Sequence, residues 1–376
     1  MTTSHETIDA QVVVVGAGPA GSATALRLAQ NGVEDVVLVD AHDFPRDKTC
    51  GSALSPRGIK AMQELGVWRA IERLAYPISA IRLVTPGKRD IFLDAPGGKT
   101  QAVICLRRDM DYQIFKAATD AGVRFLPHFR AKTLLEEHGR VRGVTAADGR
   151  TVRAHFTVIA NGAHSKWGAD LGRKREIRAI MGWWKNVPFR PRAIEMIFDR
   201  MVEPYYGWLF PETEERVNIG ITYEDRDGEK KNARELFQRF LDAYYADRLR
   251  EAEPVGAWKG HPIVYTYNIG RLFSRGRVVV GEAGRMTHPA TGEGISFGMR
   301  SGIWAGDALR DILLRKVPET AALKIYTARC AAAFSPSFWA GRAFRRLLRT
   351  GVLDRAVDLA QTQVVQEIMR RFLAHL

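Results

Sequence analysis

The feature that most constrains the fold of this chain is a glycine-rich turn close to its N-terminus. Residues 11–40 read QVVVVGAGPAGSATALRLAQNGVEDVVLVD, which predicts a strand, a tight turn, an amphipathic helix and a second strand. The four-valine run is short and β-branched, as is typical of a parallel strand buried on both faces. Gly16, Gly18 and Gly21 follow it in a G-x-G-x-x-G pattern. The stretch therefore predicts a dinucleotide-binding βαβ unit.

Each glycine in this pattern has a distinct physical role. Gly16 permits the turn, Gly18 lets a pyrophosphate approach the backbone, and Gly21 lets the helix pack against the strand. Pro19 and Ala20 complete the turn, and the helix N-terminus offers free N–H groups and the positive end of the helix dipole. These five residues are the predicted phosphate-binding turn. A structural turn that binds no ligand is the alternative interpretation.

The second strand of the unit ends in an acid, Asp40, which lies 19 positions after Gly21. A carboxylate at this place accepts hydrogen bonds from an adenosine ribose, and it repels a 2′-phosphate. We therefore expect a dinucleotide other than NADP. The turn by itself does not separate NAD from FAD.

A second glycine-rich stretch lies far along the chain, where residues 281–302 read GEAGRMTHPATGEGISFGMRSG. It follows the apolar run at 278–280 and leads into a helical pattern. Between the two glycine-rich stretches, the pattern predicts a helix over 109–121, a β-hairpin through residues 148–149 and an apolar strand over 156–160.

With these elements in this order, the chain resembles the p-hydroxybenzoate hydroxylase-like flavoproteins from about residue 9 to 310. The resemblance implies that the first turn binds the ADP half of FAD, and that Arg107, four residues before Asp111, contacts the cofactor. It also implies that the late loop wraps the ribityl chain and the isoalloxazine. That family has Asp where this chain has Glu282, whose carboxylate stands on a stem one methylene longer. The contacts implied in the late loop are Gly281, Glu282, Pro289, Gly292, Gly294 and Ile295.

The length of FAD explains why one chain would carry two glycine-rich stretches. One site is needed for the pyrophosphate and one for the flavin end, and each must let the ligand approach the backbone closely. The sequence has no second strand–GxGxxG–helix unit of the kind that holds a resident nicotinamide. We therefore expect NAD(P)H to bind transiently near the flavin, or electrons to arrive from another protein.

Two short signatures narrow the resemblance to the geranylgeranyl reductase family. RDKTCG at residues 46–51 is similar to the family's K-x-C-G, and PYYGWLFP at residues 204–211 is similar to its Y-x-W-x-F-P. The family uses reduced FAD to hydrogenate isoprenoid double bonds, which implies an oxidoreductase acting on a prenyl or other apolar substrate. Lys48, Cys50 and Gly51 match the first signature. Arg46 and Lys48 are expected at the FAD phosphates or the flavin N1–C2=O, with a solvated surface as the alternative.

Two residues are candidates for catalysis. Cys50 would lie against the isoalloxazine, where it would shape the pocket or supply a proton to the alkene. His288, next to Pro289 in the flavin loop, would be a proton donor. The alternatives are a small buried cysteine in a tight loop and a histidine that is simply hydrogen-bonded.

Bulky residues alternate along YYGWLFP with the period of a strand. Such a strand can turn Tyr206, Trp208 and Phe210 toward an apolar substrate pocket near the flavin. Trp183, together with Trp184, Met196 and Phe198 in the same region, would extend that pocket. An ordinary sheet core is the alternative, because aromatic residues fill cores everywhere.

The same scaffold serves other flavin chemistries, and fold alone does not determine function. An FAD-dependent monooxygenase acting on a natural-product intermediate is the main alternative. Flavin-dependent halogenases carry GWxWxIP, where this chain has Tyr206 for the first Trp and Phe210 for the Ile. A noncatalytic flavin-bound assembly partner is a third hypothesis.

The formal net charge of +14 favours anionic partners, namely nucleic acid, membranes or small molecules. No nucleic-acid-binding motif is present in the sequence, so we expect a small apolar substrate, with an anionic headgroup as one option. The most basic segment, residues 341–376, predicts packed surface helices. A face that contacts a membrane surface is the alternative.

Other features of the sequence concern location and covalent chemistry. It has no apolar run long enough for a transmembrane helix and no secretory signal pattern. Its three cysteines, Cys50, Cys105 and Cys330, form no CxxC, which argues against disulfides and a metal site and suits a reducing cytoplasm. We therefore expect a cytoplasmic protein, with peripheral membrane contact left open.

The fold class expected from these patterns is α/β. A discontinuous Rossmann-like FAD domain would comprise residues 1–75, 100–178 and 265–320. A substrate domain with an antiparallel sheet would comprise residues 76–99 and 179–264. Residues 321–376 would form a C-terminal helical region.

Overall fold

The structure is a computed structural model, and it describes residues 7–169, 174–225 and 230–359. Its strands are β1 (Thr7–Val15), β2 (Val36–Val39), β3 (Ala53–Leu54), β4 (Tyr76–Ile78), β5 (Ala80–Val84), β6 (Asp90–Asp94), β7 (Ala102–Ile104), β8 (Arg124–Leu126), β9 (Ala131–Glu137), β10 (Arg140–Ala146), β11 (Thr151–Ile159), β12 (Arg175–Lys185), β13 (Ala193–Ile197), β14 (Gly207–Pro211), β15 (Arg216–Tyr223), β16 (Glu253–Pro254), β17 (Lys259–Tyr265), β18 (Phe273–Ser274) and β19 (Arg277–Val279). Its α-helices are α1 (Pro19–Gln30), α2 (Pro56–Glu64), α3 (Trp68–Glu72), α4 (Arg107–Asp120), α5 (Ala233–Tyr244), α6 (Ala246–Leu249), α7 (Ile295–Leu313), α8 (Glu319–Leu347) and α9 (Val352–Leu359).

The first large sheet has a parallel centre in the order β19–β11–β1–β2–β8, with β18 antiparallel at one edge. The hairpin partner β10 pairs with β11, and β9 pairs with β10. Val12 to Val15 lie opposite Val36 to Val39 on one side and Phe156 to Ile159 on the other. Because β1 is buried from both faces, its uninterrupted valine run is what this position requires.

Helix α1 lies very close to the turn before it and to α7. A Cβ on Gly21 would lie 1.8 Å from the Gly16 carbonyl oxygen, and a Cβ on Gly302 would lie 2.4 Å from the Ala20 carbonyl oxygen. Only residues without a side chain allow backbones to approach so closely. The glycines of the two glycine-rich stretches therefore allow α1 and α7 to pack closely at one edge of the sheet.

The second large sheet has the order β16–β12–β15–β14–β13–β5–β6, and β17 also pairs with β12. Its neighbours are antiparallel except β13 and β5, which are parallel. Helix α5 covers one face with Leu236, Phe237, Phe240 and Leu241. A small third sheet joins β3, β7 and β4. The predicted fold class, a Rossmann-like α/β unit with an antiparallel second unit and C-terminal helices, is confirmed.

The antiparallel sheet reaches slightly beyond the expected substrate domain. Strand β12 begins at Arg175 and β17 ends at Tyr265, whereas the boundaries were expected at 179 and 264. Helices α8 and α9 occupy the start of the expected C-terminal region, while residues 360–376, which include half of the basic segment, lie outside the described residues. Within the described ranges, no helix is long and apolar enough to cross a membrane.

Candidate functional site

A cavity of about 1300 Å³ lies between the two large sheets. It opens at the carboxyl ends of β1, β2 and β11, which is where open α/β sheets bind ligands. One end, which we call the polar end, is lined by the glycine-rich turns and charged side chains. The other, the apolar end, is lined by aromatic and aliphatic side chains of the second sheet.

The first glycine-rich turn lines the polar end with Gly16, Gly18, Pro19 and Ala20. Gly16 has a φ of +104°, and a Cβ there would lie 2.7 Å from the Ala160 carbonyl oxygen. By contrast, the nearest atom to a Cβ on Gly18 would be Arg46 Nη2 at 3.7 Å. Gly16 is therefore needed by the fold, while Gly18 presents open backbone to the cavity. Gly21 lies outside the lining and packs beneath the turn.

Asp40 follows the last residue of β2 and lines the cavity. Its Oδ2 accepts a hydrogen bond from the Ala17 backbone N–H at 2.8 Å, and its Oδ1 accepts one from the His42 N–H at 3.0 Å. Each carboxylate oxygen has a further lone pair. Asp40 therefore holds the turn in place and can still accept from a ligand hydroxyl.

Two arginines at the polar end share one carboxylate. The Arg107 guanidinium donates twice to Asp111, with both distances at 2.7 Å, and Arg46 Nη1 lies 3.6 Å from the same side chain. Burial penalises the charge of Arg107, but Asp111 outweighs it and raises the pKa of the guanidinium. Arg46 Nε is buried and makes no hydrogen bond to any described residue. An anion beside Arg46 would satisfy this donor.

Lys48 and His261 form a pair that the motifs did not predict. Lys48 Nζ lies 2.6 Å from His261 Nε2. Burial lowers the pKa of Lys48, and Arg107 lowers it further. Burial, with the nearby Lys48 charge, lowers the pKa of His261 to about 4. A neutral imidazole therefore accepts from the ammonium. His261 is distant in sequence and stands alone in GHPIVY, so no sequence signal indicated it.

The late loop reaches the same cavity. Its lining residues include Gly281, Glu282, Gly292, Gly294 and Ile295. Glu282 Oε1 accepts from the Val264 N–H at 2.9 Å, and burial raises the pKa of this carboxyl. The carboxylate stem therefore ties the loop to β17 of the second sheet.

His288 and Pro289 do not reach the cavity with the rest of this loop. His288 is fully buried, and Nδ1 accepts from the Thr291 N–H at 3.2 Å while Nε2 donates to the Ser337 carbonyl oxygen at 3.1 Å. Burial lowers its pKa to about 4. The structure thus places His288 between the loop and α8, away from the lining. This placement fits the hydrogen-bonded alternative rather than the proton donor.

Cys50 lines the cavity at the junction of the polar and apolar ends. The Ser52 N–H donates to Cys50 Sγ at 3.3 Å. A Cβ on the adjacent Gly51 would lie 3.2 Å from the Phe210 ring. The K-x-C-G segment therefore packs tightly against β14, which carries the second signature.

The apolar end contains the three aromatic residues expected there. Ring centroids are 6.1 Å apart for Tyr206 and Trp208, and 5.8 Å apart for Trp208 and Phe210. The Tyr206 hydroxyl donates to the Thr291 carbonyl oxygen at 2.6 Å, and Trp208 Nε1 donates to Asn218 Oδ1 at 2.7 Å. Both polar atoms are thus satisfied by protein groups, Tyr206 at the late loop and Trp208 at a residue outside the cavity lining. Phe198, grouped with the pocket from the sequence, also lines the cavity, as do four residues that the motifs missed: Ile81, Leu93, Ile194 and Phe344.

Trp183 is brought to a different place. It lines a smaller cavity of about 210 Å³ together with Glu212 and Arg216. Its Nε1 donates to Glu212 Oε1 at 3.0 Å. Met196, in contrast, lines the larger cavity.

The residues at the polar end fit a flavin dinucleotide. Open backbone at Gly18, a free lone pair on Asp40 and an unsatisfied buried donor on Arg46 suit a pyrophosphate linked to a ribose. The carboxylate of Glu282 suits hydroxyls further along the ligand. The cavity volume exceeds that of ordinary small-molecule pockets, which reach about 1000 Å³, so a second ligand also has room.

Comparisons with known proteins agree with this geometry. Residues 9–335 match the model of the family described as FAD binding domain. The menaquinone reductase of Mycobacterium tuberculosis is 31% identical, and the match covers 80% of this chain and 76% of that protein. Digeranylgeranylglycerophospholipid reductase 1 of Methanopyrus kandleri is 28% identical, with 96% of each chain covered.

Two solved structures share the fold. A geranylgeranyl bacteriochlorophyll reductase-like protein from Thermoplasma acidophilum matches with a TM-score of 0.86 and 20% identity, over 98% of this chain and 96% of the other. A flavin-dependent brominase matches with a TM-score of 0.80 and 18% identity, over 98% and 94%. The fold is therefore common to proteins named for reduction and for halogenation.

Proposed function

The chain belongs to the geranylgeranyl reductase family of FAD-dependent oxidoreductases, and from this premise we propose that it reduces carbon–carbon double bonds in a prenyl-type or other long apolar substrate. The expected cofactor, FAD, is confirmed by the family. The observation that carries the proposal is the single cavity that joins the polar end to the apolar end across Cys50. An isoprenoid chain offers little charge, so it binds by apolar burial at about 25 cal/mol per Å².

The residues of the polar end have complementary roles in holding FAD. The helix N-terminus at Gly18 would receive the pyrophosphate, Asp40 would accept from the ribose, and Arg46 would donate to a phosphate. Glu282 would accept from ribityl hydroxyls. Arg107 would contact FAD from the same side of the cavity as Arg46, and Asp111 would fix the orientation of its guanidinium.

Lys48 places positive charge near the junction of the two ends. The neutral ring of His261 accepts one of its three N–H donors, so two remain for the flavin N1–C2=O edge. Bound and reduced, FAD supplies a hydride to one carbon of the double bond. Cys50, at the junction, would supply the proton to the other carbon. The aromatic wall of Tyr206, Trp208 and Phe210 would orient the alkene and exclude water.

The test is anaerobic. The FAD-loaded protein is reduced with light and a sacrificial donor, and a geranylgeranyl lipid, which has no quinone ring to accept the electrons, is then added in detergent. We expect flavin reoxidation without oxygen and a product two mass units heavier per reduced bond. A monooxygenase would instead show no anaerobic reoxidation and would form an oxygenated product once air is admitted, and that result would overturn the proposal.

The electron source is a further part of the proposal. NAD(P)H binding transiently, or a protein donor, would reduce the flavin, since no second dinucleotide-binding turn is encoded. Mixing the oxidised protein anaerobically with NADH or NADPH tests this. Rapid bleaching of the flavin by either nucleotide supports a nicotinamide donor, and bleaching only by a reduced ferredoxin or flavodoxin supports a protein donor.

We also propose that the protein makes peripheral contact with a membrane surface. This contact is supported by the net charge of +14 and by large apolar side chains exposed on α8 and α9, namely Ile325, Trp339, Leu347, Val352 and Leu359. Arg342 stacks over Trp339 at 5.1 Å. Co-sedimentation with anionic vesicles, reduced in Trp339→Ala, is expected, while equal binding to neutral vesicles would point to adsorption without charge recognition and count against it.

A further inference from the structure

The smaller cavity, of about 210 Å³, lies on the other side of the K-x-C-G segment from the larger one. Both cavities are lined by Asp47, Lys48, Cys50, Ser52 and Arg107. The two spaces therefore share a wall. Its far side is made by strands of the second sheet and by residues 255–257.

Glu212 is the unusual side chain in this smaller cavity. The residue is only 5% exposed. One oxygen, Oε1, accepts from Trp183 Nε1 at 3.0 Å. The other, Oε2, lies 2.8 Å from Arg216 Nε but makes no well-formed hydrogen bond to any described residue. The ion pair with Arg216 therefore leaves Oε2 able to accept a hydrogen bond from water in the cavity.

Burial and the charged groups around Glu212 together place its pKa near neutral pH, so that both protonation states are populated. Burial raises the pKa of Glu212 to about 7, with Asp47 in the same direction, while Arg216 and Trp183 oppose the rise. Lys48, Arg107 and Lys259 also line the cavity and favour the carboxylate. A group with a pKa near the ambient pH both gives and regains a proton readily.

The geometry points to the smaller cavity as a proton-delivery chamber, in which Glu212 passes a proton through cavity water to Cys50. This inference rests on the proposed function, because alkene reduction consumes a proton. For each double bond, one carbon receives a hydride with its electron pair and the other receives the proton of the Cys50 thiol. The S–H bond is restored from Glu212–COOH, and the resulting carboxylate regains its proton from solvent. The net consumption is one hydride from reduced FAD and one solvent proton.

Glu212 is a positioning and relay residue in this scheme, so its test needs readouts that a purely structural role would leave unchanged. Glu212→Gln keeps the acceptor for Trp183 but carries no acidic proton, and Glu212→Asp keeps the acid. The matched control is Glu253→Gln, an exposed glutamate on β16 of the same sheet. Each variant is loaded with FAD and its cofactor content is measured first.

The first readout is the steady-state anaerobic rate with the polyprenyl substrate between pH 5 and 9, with a chemical reductant in excess to rereduce the flavin, because Glu212 acts only after Cys50 has given up its first proton. Wild type and Glu253→Gln should lose rate about tenfold per pH unit above about pH 7. Glu212→Gln should be at least about tenfold slower at pH 6 and independent of pH through this range, and Glu212→Asp should recover most of the rate. Wild-type rate and profile in Glu212→Gln would overturn the relay.

The second readout needs no turnover. Infrared titration of the oxidised protein should show a protonated-carboxyl band that disappears with a midpoint near pH 7, is absent in Glu212→Gln and is unchanged in Glu253→Gln. A glutamate ionised throughout this range would overturn the relay while leaving the proposed function intact. If the titration is as expected but no polyprenyl compound reoxidises the wild-type flavin, the proposed function fails and the relay fails with it.

Discussion

The two ends of the large cavity are built on opposite principles. The polar end is made of backbone and charge: Gly16 has a φ of +104°, Asp40 accepts two backbone N–H groups, and Asp111 fixes Arg107. The apolar end depends on shape, since the polar atoms of Tyr206 and Trp208 are already satisfied by protein groups. Phe198 and Phe344 meet there edge to face at 5.7 Å.

This difference predicts how well each end of the cavity tolerates amino-acid substitutions. A binding site formed by glycine backbone is lost when a Cβ is added, because the ligand and the new atom would occupy the same space. An apolar wall can exchange one side chain for another of similar volume at a modest cost. The cofactor end should therefore respond sharply to substitution, and the substrate end gradually.

The largest expected effect is at Gly21. In Gly21→Ala the new Cβ would lie 1.8 Å from the Gly16 carbonyl oxygen, so the turn must move away from the position that binds the pyrophosphate. We expect FAD affinity to fall at least about 1000-fold, or about 4 kcal/mol. Flavin content after purification and fluorescence titration of the apoprotein measure it.

The control for that substitution is Gly58→Ala within α2, where the nearest atom would be Leu54 Cδ2 at 3.4 Å. Replacing glycine with alanine at a compatible position also restricts the unfolded chain, which stabilises the protein by about 0.4–1 kcal/mol. Gly58→Ala should therefore keep its FAD and be slightly more stable. If Gly21→Ala also kept its FAD, the sharp response assigned to the polar end would be wrong.

At the apolar end we expect a gradual response. Phe344→Ala on α8 should lower the free energy of unfolding by about 3 kcal/mol and raise KM for a polyprenyl substrate about tenfold through lost apolar contact. FAD affinity should stay within about twofold of wild type. Denaturant unfolding, steady-state kinetics and flavin titration separate the three quantities.

Phe338 on the same helix is the matched control, because it is fully buried against Phe297 and lies outside the cavity lining. Phe338→Ala should cost similar stability and leave KM unchanged. Equal KM changes in the two variants would show that Phe344 acts through the fold and not through the substrate.

The contrast between the ends also explains what could be predicted from the sequence. Contacts of the polar end lie in short segments, because a turn, a helix start and the acid after a strand have characteristic spacings. Asp40 was therefore expected from spacing and Arg107 from the resemblance, and both line the cavity. Phe344 and His261 could not be found in this way, since strand pairing and helix packing far along the chain bring them to the site.

Two expected site residues show the limits of motif spacing. Trp183 was grouped with the pocket because its neighbours are aromatic, but β12 turns it toward the smaller cavity and Glu212. His288 lies within the flavin loop but points at α8, where the Ser337 carbonyl accepts its Nε2–H. Side-chain direction within a loop depends on tertiary packing, and no pattern of residue types encodes it. The roles assigned to Cys50 and Lys48 remain predictions.

A third prediction uses pH to test the support of the late loop. Burial holds the pKa of His288 at about 4, against about 6.5 when unfolded. Both states are neutral above pH 6.5, so the contribution is complete there. As the pH falls toward 4, only the unfolded chain takes up the proton, and up to about 3 kcal/mol is lost.

His288→Gln, which keeps an acceptor for the Thr291 N–H, should flatten this loss in denaturant unfolding between pH 7 and 4. His261 has the same shift and remains in the variant, so about half of the acid sensitivity of the pair should persist. An unchanged pH dependence would mean that His288 is accessible to protons in the folded protein. That would restore His288 as a candidate proton donor despite its position outside the cavity lining.

The smallest effect is expected where the two ends are joined. Glu282 belongs to the cofactor loop, yet its Oε1 accepts from the Val264 N–H of the substrate sheet at 2.9 Å. Glu282→Asp shortens the stem by one methylene, so the carboxylate can serve the ligand or β17 but reaches both less well. We expect FAD affinity to fall about fivefold, or about 1 kcal/mol, with a similar loss of stability. Glu282→Gln keeps the length and should lose affinity without losing stability, and if both variants bound FAD as wild type does, the loop would be held by its glycines alone and the two ends would be independent.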